Sequence, residues 1–556
     1  MDFLLTYLEK LHTRLLQSFV AMDLLSWFAS IPSTLKAHPE IFFSIASFFL
    51  LYIYRLKRSR SVPVNWPFIG MLPAMVAHVH HLHDYGAKIL AASGMNFTFK
   101  GPWFTGMELF MTCDPANVNH VFNTHLPIYP KGEEFREMFE IFGESLLTTD
   151  DEKWKAQRKM IHNLMINRNF RAYELHISRN KVEKGLVPIL NRFAEEKKIV
   201  DLEDLFTRLT FDTIFDMALG VDPGSLSPEF PIHPLAEALD VASEVIFHRH
   251  LVPKSWWKVM KWLNIGKERK LAIAGEKMDK FVKETIAKRR EYISKNRCDQ
   301  DDCKDEHAVP RADFLTTYMI QTPEDGKKPA DIEEFYEFLH SNAKSLVLAG
   351  RDTTGAAMAW FFWLLCKNPR VQQKIVEELK ANWPEVEDET SRNKNTPFDH
   401  DGLSKLVYLY AALCECLRLY PTVAVQRKSA IKTDVLPSGH TVHPGTVLIF
   451  HLYSMGRMEE IWGKDCLEFK PERWILDNGE LKYEPSYKFF AFNSGPRICL
   501  GKEMSINKMK TIVAAMLYNF QIEIVEGHVV EPKLSVIMHM KNGLKARIIK
   551  KEKRGW

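Results

Sequence analysis

The chain has 556 residues, 46% of them hydrophobic and 12% aromatic, which is enough for a large buried core. A formal net charge of +4 is too small for a general nucleic-acid binder, so any basic surface is local. Eight cysteines without regular spacing exclude a secreted disulfide framework and fit a reducing, cytosol-facing environment.

At the N-terminus, LLTYLEKLHTRLLQSF (Leu4 to Phe19) carries leucines at helical spacing. It reads either as an interfacial helix or as an extension ahead of an alternative start at Met22. IFFSIASFFLLYIY (Ile41 to Tyr54) is apolar and is followed by RLKRSR. The run is shorter than the roughly twenty residues that span a bilayer squarely, so a signal core or a buried helix are the competing readings. The basic cluster that follows, where a cleavage site would stand, favours an anchor with the remaining chain on the cytoplasmic side. SVPVNWPFIGMLP (Ser61 to Pro73) holds three prolines and predicts a stiff, extended neck.

From about residue 75 to 425 the apolar spacing predicts helices, among them Ala356 to Lys367, Gln372 to Ala381 and Lys405 to Tyr420. Lys295 to Arg311 reads as a solvated loop, and its Cys298 and Cys303 lack the further ligands of a metal site. Strand signals are sparse and late, at Asp434 to Gly456 and as a hairpin of Phe520 to Gly527 with Gly543 to Lys551. The expected fold is mainly α with small β-sheets. No glycine-rich dinucleotide fingerprint follows a strand, so reducing equivalents come from elsewhere.

Five motifs carry chemistry. EKWKAQRKM places Trp154 and Arg158 at i,i+4, able to offer an indole N–H and a guanidinium to one anion. In LVLAGRDTTGAAM, Ala349-Gly350 opens a helix face ahead of Asp352, Thr353 and Thr354. Mid-helix threonines bond the carbonyl four residues back, and an acid beside an alcohol suits proton delivery. CECLRLYP pairs Glu415 with Arg418 at i,i+3, and Arg473 of FKPERW is able to complete a buried Glu–Arg–Arg cluster. In FNSGPRICLGKE, Cys499 has Arg497 upstream, Lys502 downstream and a helix just after it, the means of holding a thiolate. Gly495 and Gly501 allow a tight loop that approaches a flat partner closely.

These motifs, in this order, resemble those of the cytochrome P450 family from about Pro63 to the C-terminus. The resemblance implies a cytochrome P450 fold with an N-terminal membrane anchor helix. Residues 1–40 are then an extension, 41–60 the anchor with its basic flank, 61–74 a proline-rich hinge and 75–556 the haem domain. It implies Cys499 as the axial haem-iron ligand, within a cofactor loop that includes Phe492, Gly495, Arg497 and Gly501. Trp154, Arg158 and Arg497 become candidates for the haem propionates, Asp352 and Thr353 the proton relay, and Glu415, Arg418 and Arg473 a structural triad.

Electrons are expected from NADPH through a membrane-bound cytochrome P450 reductase, docked near Arg497, Lys502, Lys508 and Lys510. The expected location is the endoplasmic reticulum membrane, with a single-pass anchor. A closer similarity is to the plant clan of fatty-acid and alkane hydroxylases, especially the branch of mid-chain alkane hydroxylases. It implies hydroxylation of long-chain aliphatic, lipophilic substrates, alkanes or fatty acids. VAVQRK (Val423 to Lys428) departs from that pattern and leaves an alternative, an oxidase coupling phenolic alkaloid precursors. A non-catalytic haem- or lipid-binding membrane protein is a third reading.

Overall fold

The computed structural model describes residues 62–296, 312–321, 329–383, 398 and 400–551, with positions 40, 44, 47 and 48. The anchor run and its basic flank fall almost wholly outside the described residues, as do residues 1–39, Cys298 and Cys303. Among the described residues no helix is long and apolar enough to cross a membrane. Contacts divide the chain into Met1–Val64 and Asn65–Trp556, and the second unit holds every element named here.

Helices dominate. Those that build the site are α1 (Leu82–Ala92), α2 (Asp151–Ile166), α3 (Leu202–Leu219), α4 (Pro234–Leu251), α5 (Pro329–Lys367), α6 (Val407–Leu419) and α7 (Lys502–Asn519). α5 runs unbroken through 39 residues and stops at the Asn368-Pro369 step, where proline cannot continue the ladder. α3 lies close along it. A Cβ on Gly350 would stand 2.5 Å from Ile214, and one on Gly355 would stand 3.1 Å from the Thr207 Cα. The small residues of the LAGRDTTG stretch therefore serve helix–helix approach as well as opening a face. Asp201 caps α3 by accepting from the amides of Glu203 and Asp204.

The sheets are small. Four strands, β1 (Asn96–Lys100), β2 (Glu108–Thr112), β4 (Val425–Ser429) and β7 (Val447–His451), pair in the order β1-β2-β7-β4. A three-stranded sheet joins β3 (Ile199–Asp201) to β8 (Phe520–Ile524) and β9 (Lys545–Lys550), and β5 (Asp434–Val435) pairs with β6 (Thr441–Val442). The β1–β2 hairpin was not anticipated from its residues. β2 is held by parallel pairing with β7, Leu109 opposite Val447 through Thr112 opposite Phe450, a partner far along the chain. The late β-run also ends sooner than its composition predicts. Leu452–Met455 is a helical turn in which the Ser454 amide donates to the His451 ring and the Leu452 and Tyr453 amides to the Ala424 carbonyl.

The proline-rich neck differs from expectation too. Trp66 and Gly70 exchange backbone hydrogen bonds of 2.9 Å, and helix starts at Leu72, so Asn65 to Pro73 turns tightly instead of running extended. The core divides into clusters. One is built on the C-terminal half of α5 with α6 and α7. Another gathers Phe135, Met138, Phe139 and Phe142 with α3, α4 and the first half of α5, and reaches Leu500 beside Cys499.

Candidate functional site

Cys499 sits three residues ahead of the first residue of α7, reached through two single turns, Phe490–Phe492 and Gly495–Arg497. Its amide donates to the Phe492 carbonyl at 2.8 Å and closes the loop. Gly495 has φ +63°, and a Cβ there would stand 2.2 Å from the Phe122 carbonyl oxygen, so hand and space both require glycine. Gly501 has an ordinary φ of −86°, but a Cβ on it would meet nothing within 4 Å. The loop is thus bare on the side Gly501 faces.

Cys499 keeps accessible surface. Even so, protein surrounds it closely enough that burial raises its thiol above the usual range, opposed by the Gly501 amide and by Arg158 and Lys502. One of the cations expected beside the sulfur changes place. Arg497 turns away to Asp150, and Arg158 comes in from α2, donating to the Ile498 carbonyl at 2.8 Å.

Around Asp150 lies an arrangement the sequence only half revealed. Arg497 donates to Asp150 Oδ1 at 2.6 Å and to the Thr149 carbonyl at 3.0 Å. Its guanidinium lies 4.2 Å over the Trp154 ring, and that of Arg158 lies 5.7 Å from the same ring. Asp150 also accepts the amides of Lys131 and Gly132 at 3.0 and 3.1 Å. Lys131 adds its ammonium, bonded to the Leu147 carbonyl. Lys428 adds another, 1% exposed, 5.1 Å over the Phe122 ring and with no hydrogen-bond partner among the described residues. Burial, reinforced by Arg497, lowers Lys428 to about 7 and pushes Lys131 well below its usual range. One buried carboxylate faces three cations. Lys131 and Lys428 were missed as site residues, although YPKGEEF and VAVQRK both stood out as segments.

On α5, the Thr353 hydroxyl donates to the Ala349 carbonyl at 2.5 Å, the expected back-bond, while Thr210 of α3 donates to the Arg351 carbonyl at 2.7 Å. Asp352 is 1% exposed, and burial raises its pKa against the pull of Arg351. Arg351 Nη1 lies 3.0 Å from Asp352 Oδ1 without hydrogen-bond alignment, and bonds Asp240 of α4 at 2.7 Å.

Glu415 is fully buried and accepts five donors. They are Arg418 Nε and Nη2 at 2.7 and 2.8 Å, Arg473 Nε at 3.3 Å, Trp474 Nε1 at 2.9 Å and the Lys470 amide at 3.0 Å. The structure brings the two motifs together on Glu415, with Trp474 as a further member. Of the four basic residues assigned to a docking face, Lys508 and Lys510 are 7% and 4% exposed, and Lys510 bonds the Leu403 carbonyl at 2.7 Å. Both point into the interior and are withdrawn from that face.

A thiol loop, a buried cation cluster, a helix with an acid–alcohol pair and a Glu–Arg–Arg core thus stand together in the second unit. The chain matches the Cytochrome P450 family over residues 61–546 and belongs to it. It is 41% identical to noroxomaritidine synthase of Narcissus aff. pseudonarcissus MK-2014, over 92% of this chain and 97% of that protein. It is 39% identical to alkane hydroxylase MAH1 of Arabidopsis thaliana (92% and 98% covered) and 38% identical to cytochrome P450 86B1 of the same plant (92% and 89% covered). The chain is a cytochrome P450 monooxygenase, with haem as cofactor and electrons supplied by a reductase. The residues present fit that cofactor. Lys131, Lys428 and Arg497 share the single carboxylate of Asp150, and Lys428 has no acceptor among the described residues, a shortfall of negative charge that two propionates would make up, while the bare side of Gly501 admits a flat ring beside the sulfur.

Proposed function

We propose that this enzyme inserts one oxygen atom into an unactivated C–H bond of a long-chain aliphatic substrate, an alkane or a fatty acid. The observation that carries it is the Asp352–Thr353 pair on α5, held beside an apolar cluster that reaches Leu500 at the cysteine. Cys499 would supply the sulfur ligand to the haem, and Lys131, Lys428 and Arg497 would hold its propionates, with Trp154 against the Arg497 guanidinium. Arg158 steadies the thiol loop through Ile498. Bound haem supplies reductive activation of dioxygen, using electrons from NADPH through cytochrome P450 reductase. Thr353 and Asp352 would relay protons at that site. Glu415, Arg418 and Arg473 hold the fold around it.

Residues 41–60 are the proposed single-pass anchor and 61–74 the hinge, with the catalytic unit on the cytosolic face of the endoplasmic reticulum. The 41% identity to noroxomaritidine synthase and the polar VAVQRK segment favour a second reading, coupling of phenolic alkaloid precursors. Purified enzyme with reductase, NADPH and labelled dioxygen, offered alkanes, fatty acids and phenolic amines, separates the two. Labelled alcohol from the aliphatic substrates supports hydroxylation. Turnover of the phenolic amine alone, without label in the product, replaces it with coupling.

A further inference from the structure

Where Asp240 of α4 reaches α5, two carboxyl groups compete for one nitrogen. Arg351 Nη1 donates to Asp240 Oδ1 at 2.7 Å, and it lies 3.0 Å from Asp352 Oδ1 without the alignment of a hydrogen bond. Arg351 and Asp352 are buried, whereas the Asp240 side chain is 55% exposed. The Arg351 backbone is fixed, its carbonyl accepting from Thr210 of α3. Its Nε–H has no acceptor among the described residues, so the guanidinium keeps donor capacity beyond the Asp240 pair.

Asp352 is in the opposite condition. Neither of its carboxyl oxygens has a hydrogen-bond donor among the described residues. A carboxylate in that position has lost water and gained no N–H, which disfavours its charged form. Burial accordingly raises the Asp352 pKa, against the positive charge of Arg351, His539 and Lys533 and with some help from Asp240. His539 is itself tied to Glu203, Nδ1 to Oε1 at 3.1 Å. Asp204 of α3 and His233 ahead of α4 also act on Arg351 or feel its charge. Among the described residues, only Arg351 stands within ion-pair distance of Asp352.

The direction in which Arg351 points therefore decides the charge on Asp352. Asp240 offers an aligned carboxylate that stays partly in water, and so holds the guanidinium at little desolvation cost. Without Asp240, the same fork has Asp352 as its nearest acceptor, and pairing there favours the ionised acid.

We propose that Asp240 is a positioning residue for proton delivery: it draws Arg351 away from Asp352 and so keeps the Asp352 carboxyl in its neutral, proton-donating form. Asp352 then gives up one proton by breaking its O–H bond, and regains one from water at the protein surface. Asp240 touches neither the cysteine loop nor Thr353 and acts only through Arg351. The inference rests on the reading of Asp352 and Thr353 as the proton relay.

The test uses full-length holoenzyme with reductase, NADPH and whichever of the aliphatic or phenolic substrates the wild type turns over. Product formed per NADPH consumed is measured across pH. Infrared spectra of the holoenzyme supply a second readout, the stretch of a protonated carboxyl that Asp352→Asn removes. In Asp240→Asn that band should be lost near neutral pH. Lowering the Asp352 pKa to about one unit below the working pH leaves about a tenth of it as the acid, so product per NADPH should fall about fivefold or more at about pH 7.5. The loss should reverse as pH is lowered, because acidification restores the neutral form, while the wild type stays nearly flat over the same range. Asp240→Glu should behave as the wild type. Replacing the guanidinium as well, in Asp240→Asn with Arg351→Met, should restore both the band and the coupling.

An Asp240→Asn enzyme that keeps the carboxyl band and wild-type coupling overturns the proposal. So does a loss of coupling that is the same at every pH, or one that the added Arg351→Met does not relieve, since either marks a merely structural effect. An Asp352→Asn enzyme that couples as well as the wild type overturns the relay reading itself, which separates the two failures.

Discussion

Arg497 and Asp150 form an ion pair almost without water, Nη2 to Oδ1 at 2.6 Å, with side chains 7% and 4% exposed. Asp150 simultaneously ties down the amides of Lys131 and Gly132, so one carboxylate joins the cysteine loop to the segment before Glu133. Asp150→Ala leaves Arg497 buried and unpaired and frees both amides. Such breakage costs about 3–5 kcal/mol. The expected outcome is low haem content on purification and a lowered Tm. Asp150→Asn, which keeps an acceptor for the amides, should retain more haem than Asp150→Ala.

Lys428 predicts a pH dependence that haem removes. Its folded pKa of about 7 lies below the ordinary lysine value of 10.5, so between those pH values the unfolded chain binds more protons. Stability of the haem-free protein therefore rises from pH 7 toward pH 10, and the penalty is full below about 7. At about 1.4 kcal/mol per pKa unit, the effect is on the order of a few kcal/mol. The haem-loaded protein, with propionates beside Lys428, should show a much flatter profile over the same range. Tm measured for both forms at matched pH checks this. Lys428→Met should flatten the profile of the haem-free form.

Glu415→Ala removes the acceptor from five donors at once and leaves Arg418 with only backbone carbonyls, those of Gly456, Cys466 and Glu468. The cost is about 3–5 kcal/mol, and the protein should accumulate without the thiolate carbon-monoxide band. Glu415→Gln preserves shape but not charge, and should fall between Ala and wild type.

Cys499→Ser should abolish that same band, since serine supplies no thiolate. Thr353→Ala should leave the band intact, because among the described residues the hydroxyl bonds the Ala349 carbonyl of its own helix. Product formed per NADPH consumed should nevertheless drop by about tenfold or more, with peroxide released instead. Measuring NADPH, peroxide and product in the same reaction distinguishes this outcome from a simple loss of folding.

How far the site was legible depends on how locally each part is encoded. Cys499, Gly495 and the glutamate–arginine pair of α6 are fixed by short spacing within one segment, and the structure places them as that spacing implies. The Asp150 cluster draws single residues from the Lys131 segment, α2, β4 and the cysteine loop. No local pattern marks Lys428 as one of its cations until the strand's two faces are known. Lys508 and Lys510 erred the opposite way. Basic residues at the start of a helix near a thiol read as a surface, but α7 lies in the core and turns both inward. The β1–β2 hairpin escaped for a similar reason, since half of its pairing comes from β7. Asn96, in the triplet Asn96-Phe97-Thr98 that fits a glycosylation acceptor, is in fact 9% exposed and accepts from Thr112 and Asn117.

That parallel pairing has a consequence for how the molecule is made. β1 and β2 leave the ribosome long before β7, which lies more than three hundred residues further along the chain. Through that interval β2 carries an open edge, able to pair with any other extended chain. The edge closes only when Val447 to His451 arrive, and Cys499 follows within about fifty residues. Sheet closure and the emergence of the cysteine loop are thus nearly simultaneous, which leaves β2 exposed to misassembly while more than three hundred residues are made.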